Sequence, residues 1–362
     1  MSHSKQQVGF GLVELMIALA LGLVIILGVT NLFVDSSRTL GDISRSGRQL
    51  ENSLFAMDIL ASDLALIGYW GEANYPVLAN DATFGPLRVS EAGAVDPPNP
   101  PMSDNFCPGR GAGSESARVE LGWAMEYPVV TSSAGDARVL NCTDAAPAPK
   151  PTEHAVAIRR ASTCSVLPSS SDCPIDSAGG FHLQVNGCND INAGVSGGEL
   201  KLYWVTQATI EALLPYRSFK CGRGLEASES ALAPVYRYVS RMYYISVDDE
   251  LIRLDLVGGE YHYEVLAQGI EALRFEWLID QSNAGDYDVI LSSEEEISPA
   301  ELQDVVGVKI WMIVKSDTPT TTLEGSTITY VLGSSNFEVS DPFPRLLRAR
   351  TVDLINISGR RR

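Results

Sequence analysis

Residues 9–34 read GFGLVELMIALALGLVIILGVTNLFV. The run is apolar for about 25 residues, enough for one helix to cross a bilayer core at roughly 1.5 Å per residue. Whatever else the chain forms must begin from the end of that helix. One residue does not suit such a span: Glu14. An ionised carboxylate in hydrocarbon costs about 3 kcal/mol even on lenient insertion scales. In the plainer reading, the segment is an ordinary anchor with Glu14 at the headgroup level. In the other, the leader MSHSKQQVG is removed after Gly9, and the new ammonium of Phe10 meets Glu14 of its own or a neighbouring chain. A buried carboxylate is tolerable when paired, and such pairs fix register between helices. The following NLFVDSSRT holds no A-x-A-like cleavage site, so the helix is expected to stay attached. Lys5 before the span, against Asp35 and Arg38 after it, gives a weak positive-inside bias.

The helical pattern continues past the apolar run. Leu40, Ile43, Gly47, Leu50, Leu54, Met57, Ala61 and Leu64 recur every three or four residues, with Asp42, Arg45, Arg48, Gln49, Glu51, Asn52 and Asp58 between them. That is an amphipathic helix with one apolar stripe. It is predicted to run to about Ile67 and to end at a Gly68 cap. Anchor and stripe together make one helix of nearly 60 residues, about 85 Å long. Its first half suits lipid or other apolar helices, and its second half a globular partner. Ala18 and Gly22 sit at the spacing that lets helices approach closely, although small residues are common in membrane helices anyway.

The chain has 362 residues, 45% of them hydrophobic, which is ample for a core beyond the anchor. Its net charge of −18 argues against nucleic acid as a partner, since phosphate affinity needs a basic footprint. The terminal Arg360, Arg361 and Arg362 read as a solvated end. Six cysteines, Cys107, Cys142, Cys164, Cys173, Cys188 and Cys221, occur with no CxxC. Behind a membrane anchor they read as disulfides of an oxidising compartment, with 15 pairings open.

From Tyr69 to about Pro151, Pro and Gly are dense and periodicity is weak. This reads as a loop-rich elaboration with isolated strands around Trp123 to Val130, pinned by Cys107 and Cys142. The run Gly109 to Gly113 lacks the Lys-Ser/Thr of a P-loop and reads as a turn. From His154 strands dominate: 154–160, 200–206, 236–247, 251–257, 261–268, 270–280, 305–316, 326–332 and 345–356. A Cys-, Ser- and Gly-rich stretch fills 162–198, and Asp248-Asp249-Glu250 turns a hairpin. Alternation in RFEWLI and VKIWMIV predicts half-buried antiparallel strands, with charges on the open face. The fold class is α+β: a long N-terminal helix laid on antiparallel sheet.

Catalytic and cofactor signals are weak. His3, His154, His182 and His262 form no HExxH or Cys/His cluster, and no GxSxG occurs. No cofactor is expected. The best metal candidate is a Ca²⁺ loop of Asp280, Ser282, Asp286 and Asp288 around Gly285, at EF-hand-like spacing. Ala284 and Leu291 stand where ligands should be, so a plain strand-connecting loop is the stronger reading.

Lys5, Gly9, Phe10 and Glu14, followed at once by an apolar helix, resemble the class III signal of type IV pilins and type II secretion pseudopilins. The resemblance implies that a prepilin peptidase cuts between Gly9 and Phe10 and N-methylates Phe10. It also implies that Glu14 draws the Phe10 ammonium of a neighbour. Residues 266–280, 305–316 and the final RLLRARTVDLINIS look like core strands of PilW-type minor pilins. Unlike many major pilins, the chain has no proline before Pro76 and no cysteine after Cys221.

The organisation implied is a leader (1–9), the transmembrane half of the helix (10–34), its amphipathic half (35–68), the loop-rich elaboration (69–153) and a β-rich pilin domain (154–362). The expected role is a structural subunit rather than an enzyme: a minor pilin that helps initiate, and then caps, a type IV pilus serving twitching and adhesion. Implied partners are other minor pilins, the major pilin, prepilin peptidase, the inner-membrane assembly platform, inner-membrane lipid and a tip adhesin. Implied location is the inner membrane with a periplasmic C-terminal domain, then the pilus. The alternatives are a J-like pseudopilin of a type II secretion system and a membrane-anchored periplasmic enzyme or binding protein.

Overall fold

The computed structural model describes residues 11–71, 106–111, 114–125, 127–142, 146–167, 173, 179–185, 200–206, 234–292, 297, 299–302, 304–320, 323 and 325–358. Contacts divide the chain into two compact units, Met1–Leu50 and Glu51–Arg362. Helix α1, Leu12–Ala65, contributes to both. In the first unit its apolar side chains are exposed throughout, from Leu12 to Phe33. Thr30 Oγ1 donates to Ile26 O at 2.8 Å, so this hydroxyl is satisfied within the helix. The helix is long and apolar enough to cross a membrane.

The second unit begins with the last turns of α1. Ser53, Ala56, Met57, Leu60, Ala61, Leu64 and Ile67 are buried there. The expected stripe is therefore only half right. Met57, Ala61 and Leu64 are buried, but Leu40, Ile43, Leu50 and Leu54 are exposed. The buried arc of residues 53–67 is centred about a quarter turn away from Leu54 at 100° per residue. The helix ends close to the predicted place. Leu66 N–H donates to Asp63 O and Ile67 N–H to Leu64 O, which tightens the last turn. Gly68 then takes φ +71, a left-handed cap that a side chain would resist.

Next come α2 (Glu115–Ala124), β1 (Val129–Ser133), α3 (Ala137–Leu140), β2 (His154–Leu167), β3 (Gly180–Val185), β4 (Leu200–Val205) and β5 (Val235–Ile245). They are followed by β6 (Glu250–Val257), β7 (Glu260–Gln268), β8 (Ile270–Ile279), β9 (Val289–Ser292) and α4 (Pro299–Leu302). The chain closes with β10 (Val305–Lys315), β11 (Ile328–Leu332), β12 (Ser335–Val339), β13 (Arg345–Asp353) and α5 (Ile355–Ser358). The strand expected at Trp123 to Val130 is instead the end of α2 followed by the start of β1. The reason is long-range. The guanidinium of Arg159 donates to Ala124 O, the last carbonyl of α2, and to Tyr127 O three residues beyond it, placing a cation at the helix C-terminus. β3 lies in the stretch read as Cys-, Ser- and Gly-rich connection.

A seven-stranded antiparallel sheet runs β1-β2-β5-β3-β4, and the second edge of β5 is shared. β3 takes Val235–Arg237, and β6 takes Arg241–Ile245 and carries β7 outside it. A four-stranded sheet runs β13-β10-β8-β9, and β11 and β12 form a separate hairpin. The main core joins α1 to one face of each large sheet, through Val156, Ile158, Tyr243, Leu273, Phe275, Trp277, Ile310 and Met312. A second core covers the far face of β2, β5 and β6 with Phe106, Cys107, Val139 and Cys142. A third lays Leu332, Tyr330 and Phe337 of the hairpin over Ala272, Ile313 and Trp311.

These coverings correct the expectation of half-buried strands. Glu276, placed on an open face by its alternation, is 7% exposed, and Glu271, at the irregularity where Ile313 pairs with Ala272 and Val314 with Ile270, is 6% exposed. Each is held by specific donors. Glu271 pairs with Arg345, and Glu276 accepts from Trp311 Nε1 and Ser334 N–H, both at 2.8 Å. The Ser334 contact docks the hairpin turn, in which Gly333 has φ +63 as the first residue of a two-residue turn. A Cβ there would lie 2.0 Å from Glu276 Oε1. Gly333→Ala is expected to cost about 1–3 kcal/mol, from the left-handed backbone and the displaced carboxylate. Denaturant unfolding of the full chain in detergent measures it, and an unchanged midpoint would rule out this docking role.

Candidate assembly site

Glu14 lies in the first turn of α1. Its Oε2 accepts from Gly11 N–H at 3.2 Å, taking one of the amides that a helix start leaves without a partner. The carboxylate also sits where the helix dipole favours negative charge. Leu12, Val13, Leu15, Met16 and Ile17 around it are all more than half exposed. Gly9 and Phe10 lie outside the described residues.

The other end of α1 is locked by a group that the sequence reading missed. Asp63 is 5% exposed. Its Oδ1 meets Arg160 Nη2 at 2.8 Å, its Oδ2 meets Arg241 Nη1 at 2.7 Å, and Tyr243 O–H donates to Oδ2. Arg241 also reaches Asp255 at 3.0 Å, so two carboxylates and two guanidinium groups balance in charge. Burial alone would raise the carboxyl of Asp63. Arg241, Arg160 and the Tyr243 hydroxyl outweigh it and hold the group below the ordinary value. The signal was a carboxylate between the apolar Leu60-Ala61 and Leu64-Ala65-Leu66-Ile67, together with Arg159 and Arg160, which follow the apolar run Ala155 to Ile158 in a strand.

A second buried carboxylate, Glu153, accepts from Leu273 N–H at 3.0 Å and pairs with Arg274. Burial pushes its carboxyl up, and Arg274 only partly offsets that. This pair ties the start of β2 to β8.

Cys107 pairs with Cys142 across 5.8 Å between Cα atoms, and Cys164 with Cys173 across 6.0 Å. Cys188 and Cys221 lie outside the described residues. Gly109 and Gly111 form a turn with φ +85 and +105, and Gly109 N–H donates to Glu120 at 3.0 Å.

The β8–β9 loop closes on itself. Asp280 accepts from Ser282 Oγ and from the amides of Ala284 and Gly285, while Asp288 accepts from the amides of Gln281 and Ser282. Asp286 is exposed beside them. The carboxylates of Asp280 and Asp288 thus serve the loop's own N–H groups. Among the described residues no three His, Cys, Asp or Glu side chains form a metal-holding group. His154 and His182 are buried, and His182 Nδ1 lies 2.9 Å from Gly180 O.

Residues 5–30 match the family model described as the prokaryotic N-terminal methylation motif. No curated protein and no solved structure gives a significant match to the chain. The motif, which runs into the apolar helix, supports a type IV pilin-like or pseudopilin protein, and the long helix followed by antiparallel sheets gives the chain a pilin-like α+β fold.

Proposed function

We propose that the chain is a minor pilin: a structural subunit, not an enzyme, that helps start a type IV pilus and remains in its tip complex. The observation that carries this is the methylation motif at the head of a 54-residue helix. In this reading residues 1–9 are a leader, 10–34 span the inner membrane and 35–68 lead into the globular part. Residues 69–153 elaborate that part, and 154–362 form its β-rich body in the periplasm. Glu14 attracts the ammonium of a neighbour's Phe10 and sets axial register. The size of the chain and the lack of a cysteine after Cys221, where major pilins close a disulfide loop, favour a minor subunit over a major one. Other minor pilins, the major pilin, the assembly platform and a tip adhesin are its partners. The first alternative is a J-like secretion pseudopilin, which shares the same N-terminal chemistry, and the second is a membrane-anchored periplasmic enzyme or binding protein.

The test is the N-terminal mass of the protein from cells with and without prepilin peptidase. A product beginning at methylated Phe10, found only with the peptidase, is the expected result. An intact leader in both strains would leave residues 9–34 as a plain anchor. Deletion then separates the two systems: loss of twitching marks the pilus, and loss of exoprotein release marks the secretion pseudopilus.

A further inference from the structure

Strand β13 is the outer strand of its sheet and, among the described residues, pairs with β10 alone. Its other edge presents peptide N–H and C=O groups, a ready template for an added strand. Register with β10 puts Leu346, Arg348, Arg350 and Val352 on the face where Val314, Met312, Ile310 and Val308 are buried. Val352 is buried and Leu346 packs at the margin of the core. The two residues between them are arginines, in a chain of net charge −18.

A groove of about 480 Å³ separates these arginines from the Ser53–Asp58 turn of α1. Leu54 and Phe55 line it and are 55% and 52% exposed. Nε of Arg348 is shut off from solvent without a hydrogen-bond partner among the described residues. Arg350 makes an open pair with Asp58 at 3.1 Å, with side chains 47% and 78% exposed.

We propose that this groove seats an extended, acidic segment of a different neighbouring subunit, not a second copy of this chain, added to β13 as a fifth strand. The proposal rests on the reading of the chain as a pilin-like subunit. An added strand satisfies the free edge, and its period of two turns alternate side chains toward α1. Carboxylates two residues apart on that face meet Arg348 and Arg350. An apolar side chain on the same face covers Leu54 and Phe55. Charge makes the edge selective: a strand bearing Lys or Arg is repelled, whereas carboxylates gain charge-assisted hydrogen bonds as water leaves. A bare phosphate would suit the arginines but would leave the strand edge and the apolar wall unused.

The probes are two labelled nine-residue peptides, one alternating Glu with Val and the other Lys with Val. Their fluorescence anisotropy is followed on the full chain in detergent. The Glu peptide is expected to bind saturably, to protect amides of 346–352 from hydrogen exchange, and to bind at least tenfold more weakly to Arg348→Glu/Arg350→Glu. Phe55→Ser, at an exposed helix position, is expected to weaken binding too and keeps the test open should the arginine pair be needed for folding. Equal binding of the Lys peptide, no binding, or protection confined to another strand would overturn the proposal. So would a crosslink from a photoreactive residue at Ala349 into a second copy of this chain. A chain processed at Phe10 that fails to bind the peptide sinks the groove alone. A chain that binds yet is never processed sinks the subunit reading alone.

Discussion

Asp63→Ala will lower the unfolding free energy of the full chain by about 3–5 kcal/mol, the usual cost of leaving a buried charge without its partner. The loss is large because Asp63 serves three donors. Arg160, Arg241 and Tyr243 all converge on its two oxygens, and Arg160 has a side chain only 9% exposed. Removing the carboxylate turns a balanced cluster into one with an excess positive charge that α1 and the sheet bury together. Asp63→Asn will recover part of the loss by keeping a hydrogen-bond acceptor but not the charge. The same group gives a pH signature. Its folded value lies below the ordinary value of 3.8, so its contribution is fully present above that value. It fades as pH falls below 3.8 through the folded value. Denaturant unfolding from pH 7 to pH 2.5 should therefore show a steeper acid loss in the wild type than in Asp63→Ala, and parallel curves would refute the assignment.

On the proposed minor-pilin reading, Glu14→Val will leave the protein in the membrane and cleaved after Gly9, yet absent from sheared surface filaments. Insertion does not need the carboxylate. An unpaired one costs about 3 kcal/mol in hydrocarbon, so valine makes the anchor more comfortable in lipid. What disappears is the one charge in residues 9–34, the group that in the proposed assembly selects a partner's ammonium. Comparing the sheared and inner-membrane fractions by immunoblot measures this. Wild-type levels of Glu14→Val in the sheared fraction would show that register is set elsewhere.

The sequence made some features legible because their cause is local. The apolar run, its continuation as α1 and the stop at Gly68 follow from periodicity and one left-handed cap. The β5–β6 hairpin announced itself through Asp248-Asp249, and Asp249 does take φ +58. Distant causes were not legible. The ten-residue α2 is short of what a helix sustains in water by itself, and Arg159 caps it from 35 residues away. The alternating charges of β8 read as a wet face, but the β11–β12 hairpin covers Glu276 and Glu153 pairs with Arg274. The same difference divides the site. Glu14 stood out against a wholly apolar background, whereas Asp63 looked like one more solvated carboxylate on an amphipathic helix.

The Cys107–Cys142 bond lies inside the core that covers the far face of β2, β5 and β6. It joins residues 35 apart, and closing a loop of that size removes about 3–4 kcal/mol of freedom from the unfolded chain. In a reducing compartment that help is missing, and Tyr244, Met242 and Leu254 must find their cover without it. On the proposed reading as an exported subunit, the bond that clasps this cover forms only once the chain has reached an oxidising space, so the covering over β2, β5 and β6 is fastened after export and before the subunit meets its neighbours.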